Sequence, residues 1–143
     1  MTLIITVATP RCIFQSADYR LTDLRTGVTR DFDTQKIVYV TTFTWAASVC
    51  FAGVGRTPNV DVSEWLQQRA QAVASRETFD NFLRSLMSAE EWLSGLPPAA
   101  KRHSFSVGAF VGTRPLVALI SNFESLSGDA REVASEGLSL QQI

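Results

Sequence analysis

The chain has 143 residues, of which 45% are hydrophobic, and its formal net charge at pH 7 is −1. These totals are typical of a single globular domain and give no electrostatic reason to expect a nucleic acid or an anionic membrane as a partner. No apolar run approaches the roughly 20 residues that cross a bilayer, and the start lacks the pattern of a signal peptide, so the expected location is the cytoplasm.

The chain opens with a predicted β-hairpin over residues 2–20. Apolar residues, many of them β-branched, occupy both arms, and Pro10 stands in the break between them, where proline favours a turn. Residues 21–33 are polar and predict a loop or short irregular strands. Two further strands are predicted over residues 36–42 and 44–52. The second of these is almost continuously apolar, which is typical of a strand covered on both faces.

From Asp61 onwards the apolar period changes from two to about 3.6, which predicts a helix as far as Val73. Asp61 and Glu64 have the spacing of a capping pair at its start. A second helix is predicted from Thr78, with a restart near Ser88 and a stop before two consecutive prolines.

Strands return after the helices, over residues 104–111 and 116–120, and the turn between them predicts another hairpin. A third short strand is predicted over residues 131–134. The order of strands and helices favours an α+β domain in which a helix pair packs on one face of the sheets.

Metal and disulfide chemistry are not expected. Cys12 and Cys50 both fall in predicted strands and are expected to be buried thiols in a reducing compartment. His103 follows Lys101 and Arg102 at the entrance to a strand and is expected to be solvated. One histidine and two separated cysteines do not form a ligand set, so no metal or other cofactor is expected.

The order of elements and several residues together resemble the proteasome-type N-terminal-nucleophile (Ntn) hydrolases. In that family a terminal threonine opens the first strand, an Asp-x-Arg sequence closes the second, a lysine opens the third and a glycine ends the fourth. The matching positions are Thr2, Asp18, Arg20, Lys36 and Gly53. The resemblance implies one domain over residues 1–143 with the layered α/β/β/α sandwich of antiparallel sheets, lacking the C-terminal part of the family domain.

The chemistry expected of these residues is cleavage of an amide bond by a threonine. Removal of the initiator methionine would free the α-amine of Thr2, which then acts as the base for its own hydroxyl. Lys36 would lower the pKa of that amine and favour the alkoxide, and Asp18 would keep the lysine charged and oriented. Arg20 would brace Asp18. The amide of Gly53 would stabilise the oxyanion, because glycine lets a carbonyl approach the backbone closely.

Two positions bear on whether this chemistry operates. A retained Met1 would place the amine of Thr2 in a peptide bond. Ser139 is the counterpart of a family serine that touches the terminal amine, although the sequence around it departs from the family's glycine-serine turn.

Three functions stay open at this point. The first is a threonine-type hydrolase with a peptide or amide substrate. The second is a noncatalytic structural or assembly subunit of the same family. The third is a small-molecule binding domain with its pocket between the sheets. The first two imply a homo-oligomer, because uncovered apolar faces and strand edges need partners. The sequence does not say whether an ATPase partner exists.

Overall fold

Nine strands and three helices are formed by the residues that the computed structural model describes, which are 3–18, 21–22, 29–31, 34–97, 100–122 and 137–142. The strands are β1 (Ile4–Ala8), β2 (Ile13–Ala17), β3 (Leu21–Thr22), β4 (Thr29–Asp31), β5 (Ile37–Thr41), β6 (Trp45–Gly53), β7 (His103–Val111), β8 (Arg114–Ser121) and β9 (Ser139–Gln142). The helices are α1 (Val62–Gln71), α2 (Phe79–Met87) and α3 (Glu90–Leu93).

A five-stranded antiparallel sheet, in the order β5-β6-β7-β8-β9, is the centre of the fold. Its two middle strands, β6 and β7, are the longest and pair along their whole length from Trp45↔Val111 to Gly53↔His103. Side chains alternate between the two faces of each strand. The face with Trp45, Phe51 and Phe105 carries most of the large apolar residues of these strands, and the face with Ser48, Ser106 and Gly108 carries mostly small ones.

The helices cover the face with large side chains. Trp45 packs against Phe79 and Phe82 of α2, with ring centroids 5.4 Å and 5.1 Å away, and Phe105 stacks on Trp65 of α1 at 5.8 Å. Both longer helices begin with a side-chain cap, since the Asp61 carboxylate accepts from two amides of α1 and the Thr78 hydroxyl accepts from one of α2. The apolar core therefore lies between the sheet and the helices.

The β1–β2 hairpin lies on the opposite face of the sheet. Its approach is close because the sheet offers Gly108 there, and a Cβ at that position would meet Cγ2 of Ile13 at 2.5 Å. Polar groups join the two layers. The hydroxyls of Thr6 and Ser106 are 2.8 Å apart, and Nε2 of Gln15 donates to Oγ1 of Thr6 and to the carbonyl of Ser106. Strand β6 is thus covered on both faces, as its continuous apolar run predicted.

The expected α+β class and its α/β/β/α sandwich are wrong. In the described residues the helices lie on one face of the five-stranded sheet, and no described helix lies on the outer face of the hairpin, where Ile5, Val7 and Phe14 are exposed. This part of the chain is a small, mostly β domain built from antiparallel sheets. The expectation failed because the fourth layer came from the family resemblance alone, whereas the residue pattern itself predicted one helix pair.

Other predictions have mixed outcomes. Strands β3 and β4 are short and irregularly paired, as the polar composition of 21–33 indicated. The strand predicted over 131–134 falls outside the described residues. Strand β9, at the edge of the sheet beside β8, was not predicted.

Among the described residues no helix is both long and apolar enough to cross a membrane.

Candidate functional site

The open end of the hairpin places Leu3 and Asp18 at the same end of the β1–β2 pair. Strands β1 and β2 pair in the register Ile4↔Ala17, so Leu3 and Asp18 are the next residues outward at the end away from the turn. Lys36 immediately precedes β5 and reaches this end, because its Nζ lies 2.7 Å from Oδ1 of Asp18. Residues that are 18 positions apart in the sequence therefore form an ion pair between the hairpin and the sheet.

This ion pair is unevenly buried. The side chain of Lys36 is 1% exposed, whereas that of Asp18 is 37% exposed. Asp18 is not the sole partner of Lys36, which also makes a further interaction. Burying an ammonium group costs several kcal/mol unless charged and polar neighbours compensate it. The carboxylate is therefore partly open to solvent while it is paired with a buried cation.

Gly53 ends β6 at the same end of the β5–β6 pair. The ladder runs from Thr41↔Ala46 to Ile37↔Cys50, and continuing it by one residue places Lys36 opposite Phe51, two residues before Gly53. The backbone of Gly53 has φ of +100°, and a Cβ there would lie 2.0 Å from the carbonyl oxygen of Arg102. Packing against β7 is thus sufficient to explain why this position is glycine, with or without a role in binding an oxyanion.

Two predicted site residues, Thr2 and Arg20, lie outside the described residues. A third, Ser139, begins β9, where its hydroxyl donates to the carbonyl of Ser121. Strands β5 and β9 are opposite edges of the sheet, so four strand spacings, roughly 19 Å, separate Ser139 from the strand that Lys36 precedes. The structure therefore brings Asp18 and Lys36 together, with Gly53 at the same end of the sheet, and does not bring Ser139 to them.

His103 is not solvated, which corrects the prediction from its charged neighbours. It is fully buried at the start of β7, with ring centroids of Phe105, Trp92 and Phe51 at 4.5, 5.2 and 6.0 Å. Neither ring nitrogen has a well-formed hydrogen bond in the described part of the chain. Burial lowers the pKa of His103 to about 3, with a backbone group of Val54 opposing the shift, so the ring is neutral.

The sequence contained a signal for this burial. His103 shares its strand parity with Phe105, Val107 and Ala109, all of which are fully buried on the helix-covered face. Alternation along the strand therefore indicated an inward position, whereas the two basic residues before it indicated solvent.

The cysteines differ from each other. Cys50 is fully buried in β6, and burial raises the pKa of its thiol to about 12. Cys12 lies just before β2 rather than in a strand, is half-buried, and is a free thiol like Cys50. In the described ranges no three His, Cys, Asp or Glu side chains are grouped closely enough to hold a metal ion.

A separate small depression, with a cavity volume of only about 10 Å³, lies between α3 and the start of β9. It is lined by Glu90, Leu93, Ser94, Lys101, Asn122, Gly137 and Leu138. Oε1 of Glu90 already accepts from the amide of Leu138, so this carboxylate serves to attach the segment before β9 to the helix. The depression includes none of the residues of the Asp18–Lys36 site.

Comparison with known proteins gives no match, whether to a protein-family model, a curated protein or a solved structure.

Proposed function

We propose that the protein is a threonine-type hydrolase of amide bonds, in which Thr2 is the nucleophile and Lys36, held by Asp18, is its cationic partner. The observation that carries the proposal is the buried ammonium group of Lys36, 2.7 Å from a part-exposed carboxylate at the open end of the hairpin. Leu3, the residue after Thr2, lies at that same end. The resemblance to the Ntn hydrolases supports the same roles.

A purely structural ion pair is a weaker explanation of this geometry. Only Lys36 of the pair is fully buried, and replacing such a pair with apolar residues of the same size is often neutral or stabilising, so we infer a chemical role for it. Catalytic ammonium groups need this environment, because a cation removed from water interacts more strongly with charge that develops nearby.

The proposed reaction has two stages. The hydroxyl oxygen of Thr2 attacks the carbonyl carbon of the substrate, and the α-amine takes the hydroxyl proton. The Lys36 ammonium stabilises the negative charge that develops on the threonine oxygen. The carbon–nitrogen bond of the substrate then breaks, and the leaving amine takes the proton. Water, deprotonated by the same α-amine, hydrolyses the resulting ester and restores the hydroxyl. The amide of Gly53 is the proposed donor to the oxyanion.

A noncatalytic assembly subunit is the second candidate, and one observation favours it. The outer face of the hairpin exposes Leu3, Ile5, Val7 and Phe14, with exposed fractions between 48% and 67%. Contiguous apolar surface of this kind is typical of a face that another chain or segment covers. A small-molecule pocket between the layers has less support, since Thr6 and Ile13 fill the space against Gly108 there.

Intact-mass spectrometry separates the two candidates. The hydrolase requires loss of one methionine and covalent capture by an electrophile that reacts with both the amine and the hydroxyl of a terminal threonine. Thr2→Ala should lose capture and peptide hydrolysis, whereas Thr2→Ser should keep measurable amounts of both. A protein that retains Met1 and is not captured would refute the hydrolase.

The second test concerns Lys36, for which the chain offers a matched control. Lys36 and Lys101 are the only lysines in the sequence. Lys36→Met keeps the length of the apolar stem and removes the charge, and it should lower the rate of capture by about a hundredfold or more. Lys101→Met should leave the rate unchanged. Full activity of a folded Lys36→Met variant would exclude the proposed mechanism.

A further inference from the structure

The segment that carries Lys36 is attached to the first turn of α1. Ser63 is the second residue of that helix and is 8% exposed. Its Oγ donates a hydrogen bond of 2.6 Å to the carbonyl oxygen of Gln35, the residue directly before Lys36. The contact spans 28 positions of the sequence and joins α1 to the segment that precedes β5.

The same helical turn also holds the segment after Gly53. The amide of Val62 donates to the carbonyl of Gly55 at 3.1 Å, two residues beyond Gly53. One turn of a ten-residue helix is therefore bonded to both chain segments that bear proposed site residues, so their separation is fixed by a rigid element.

The Ser63 hydroxyl is not needed to cap α1. The carboxylate of Asp61 accepts from the amides of Ser63 and Glu64 and is itself held by Arg56, with Nη2 and Oδ2 2.6 Å apart. With the cap satisfied by Asp61, the serine hydroxyl is available for the distant carbonyl. Because the Ser63 hydrogen bond is not needed within the helix, its main effect is to fix the position of the Gln35 carbonyl relative to α1.

We propose that Ser63 is a positioning residue, which acts through the Gln35 carbonyl to set the place of the Lys36 ammonium relative to Asp18. The inference depends on the proposed hydrolase function for its catalytic consequence, since small displacements of a group that stabilises developing charge reduce the rate strongly. Its structural part, the position of Lys36, can be measured without any activity.

The test uses Ser63→Ala, with Ser85→Ala as the matched control. The Ser85 hydroxyl also donates to a backbone carbonyl, that of Phe82 at 2.7 Å, but this bond lies within α2 and away from the site. Protein labelled with ¹³C at lysine gives one pair of Cε signals, for Lys36 and Lys101, so both positions are followed in one spectrum.

In Ser63→Ala the Lys36 signal should move toward the position of the Lys101 signal, and kcat should fall by about tenfold or more with KM changed by less than about twofold. Ser85→Ala should change neither signal nor rate. Ser63→Thr, which keeps the hydroxyl, should restore the Lys36 signal. If Ser63→Ala does not fold, Ser63→Cys, which keeps the shape with a weaker donor, is judged by the same signals.

An unmoved Lys36 signal in a folded Ser63→Ala or Ser63→Cys variant overturns the positioning role. Failure of the proposed function would look different, because the wild-type protein would then cleave no amide and capture no electrophile. In that case a displaced Lys36 signal in Ser63→Ala would still uphold the positional effect of Ser63.

Discussion

His103 should make the stability of the fold depend on pH between pH 7 and pH 5, above the range in which most carboxylates titrate. It is the only histidine in the sequence, and it is buried among aromatic rings. Because burial lowers its pKa from 6.5 to about 3, the folded state favours the neutral ring while the unfolded chain takes up a proton below pH 6.5. Acid therefore shifts the equilibrium toward unfolding.

The size of the effect follows from the pKa difference. This stabilising contribution is fully present above the unfolded value of 6.5 and is lost as the pH falls toward the folded value of about 3. Over the whole interval it amounts to about 5 kcal/mol, and by pH 5 about 2 kcal/mol of it should already be gone. Such a loss is a large share of the stability of a small domain.

Urea unfolding at pH 7 and pH 5 measures this directly. The wild-type free energy of unfolding should fall by about 2 kcal/mol between the two conditions, and His103→Phe should remove most of the change. At pH 7 the phenylalanine variant should be as stable as the wild type, because it replaces with carbon two buried nitrogens that lack a well-formed hydrogen bond. His103→Leu serves as a second variant if the larger ring overpacks the cluster. Equal pH dependence in the wild type and both variants would refute the argument.

Two further predictions concern single positions. Gly53→Ala should destabilise the fold by about 3 kcal/mol or more, because the alanine would combine an unfavourable positive φ with a clash against the carbonyl of Arg102. Gly112→Ala, with φ of +60° and open space around its Cβ, should cost only about 1 kcal/mol in the same urea assay, and equal costs would contradict the packing explanation. For Cys50, a pKa raised to about 12 and complete burial predict that a thiol reagent at pH 8 labels only Cys12 in the native protein and both thiols in urea. Immediate labelling of both thiols in the native state would contradict the burial of Cys50 in β6.

Local patterns in the sequence predicted most individual elements correctly. The β-branched arms of the hairpin, the change to a helical period at Asp61 and the stop before Pro97 all correspond to observed elements. Asp61 caps α1 as expected, since its carboxylate accepts from two amides of the first turn. These features are decided by residues within a few positions of one another, and such signals are readable without tertiary structure.

What could not be predicted depends on contacts between distant segments. The number of layers is decided by what covers the outer face of the hairpin, and no local pattern encodes that. The hydrogen bond from Ser63 to Gln35 likewise arises only when α1 packs beside β5. The Asp18–Lys36 pair was predicted from a family resemblance, while the residues alone allowed an ordinary pair at the ends of two strands. The match to a 2.7 Å contact supports the pairing without deciding its role.

The two faces of the hairpin favour different functions, and their difference indicates how to choose between them. Its inner face joins the sheet through Thr6 and Gln15, which fixes the register of β1 and keeps Leu3 at the same end of the hairpin as Asp18. A hairpin needed only for assembly would have little use for this polar seam, because apolar residues would attach it equally well and need no matched partners. Its outer face, in contrast, is apolar and exposed at Val7 and Phe14. A fixed inner register is what the proposed catalysis at the open end would require, and covering of the outer face by another chain would be compatible with it.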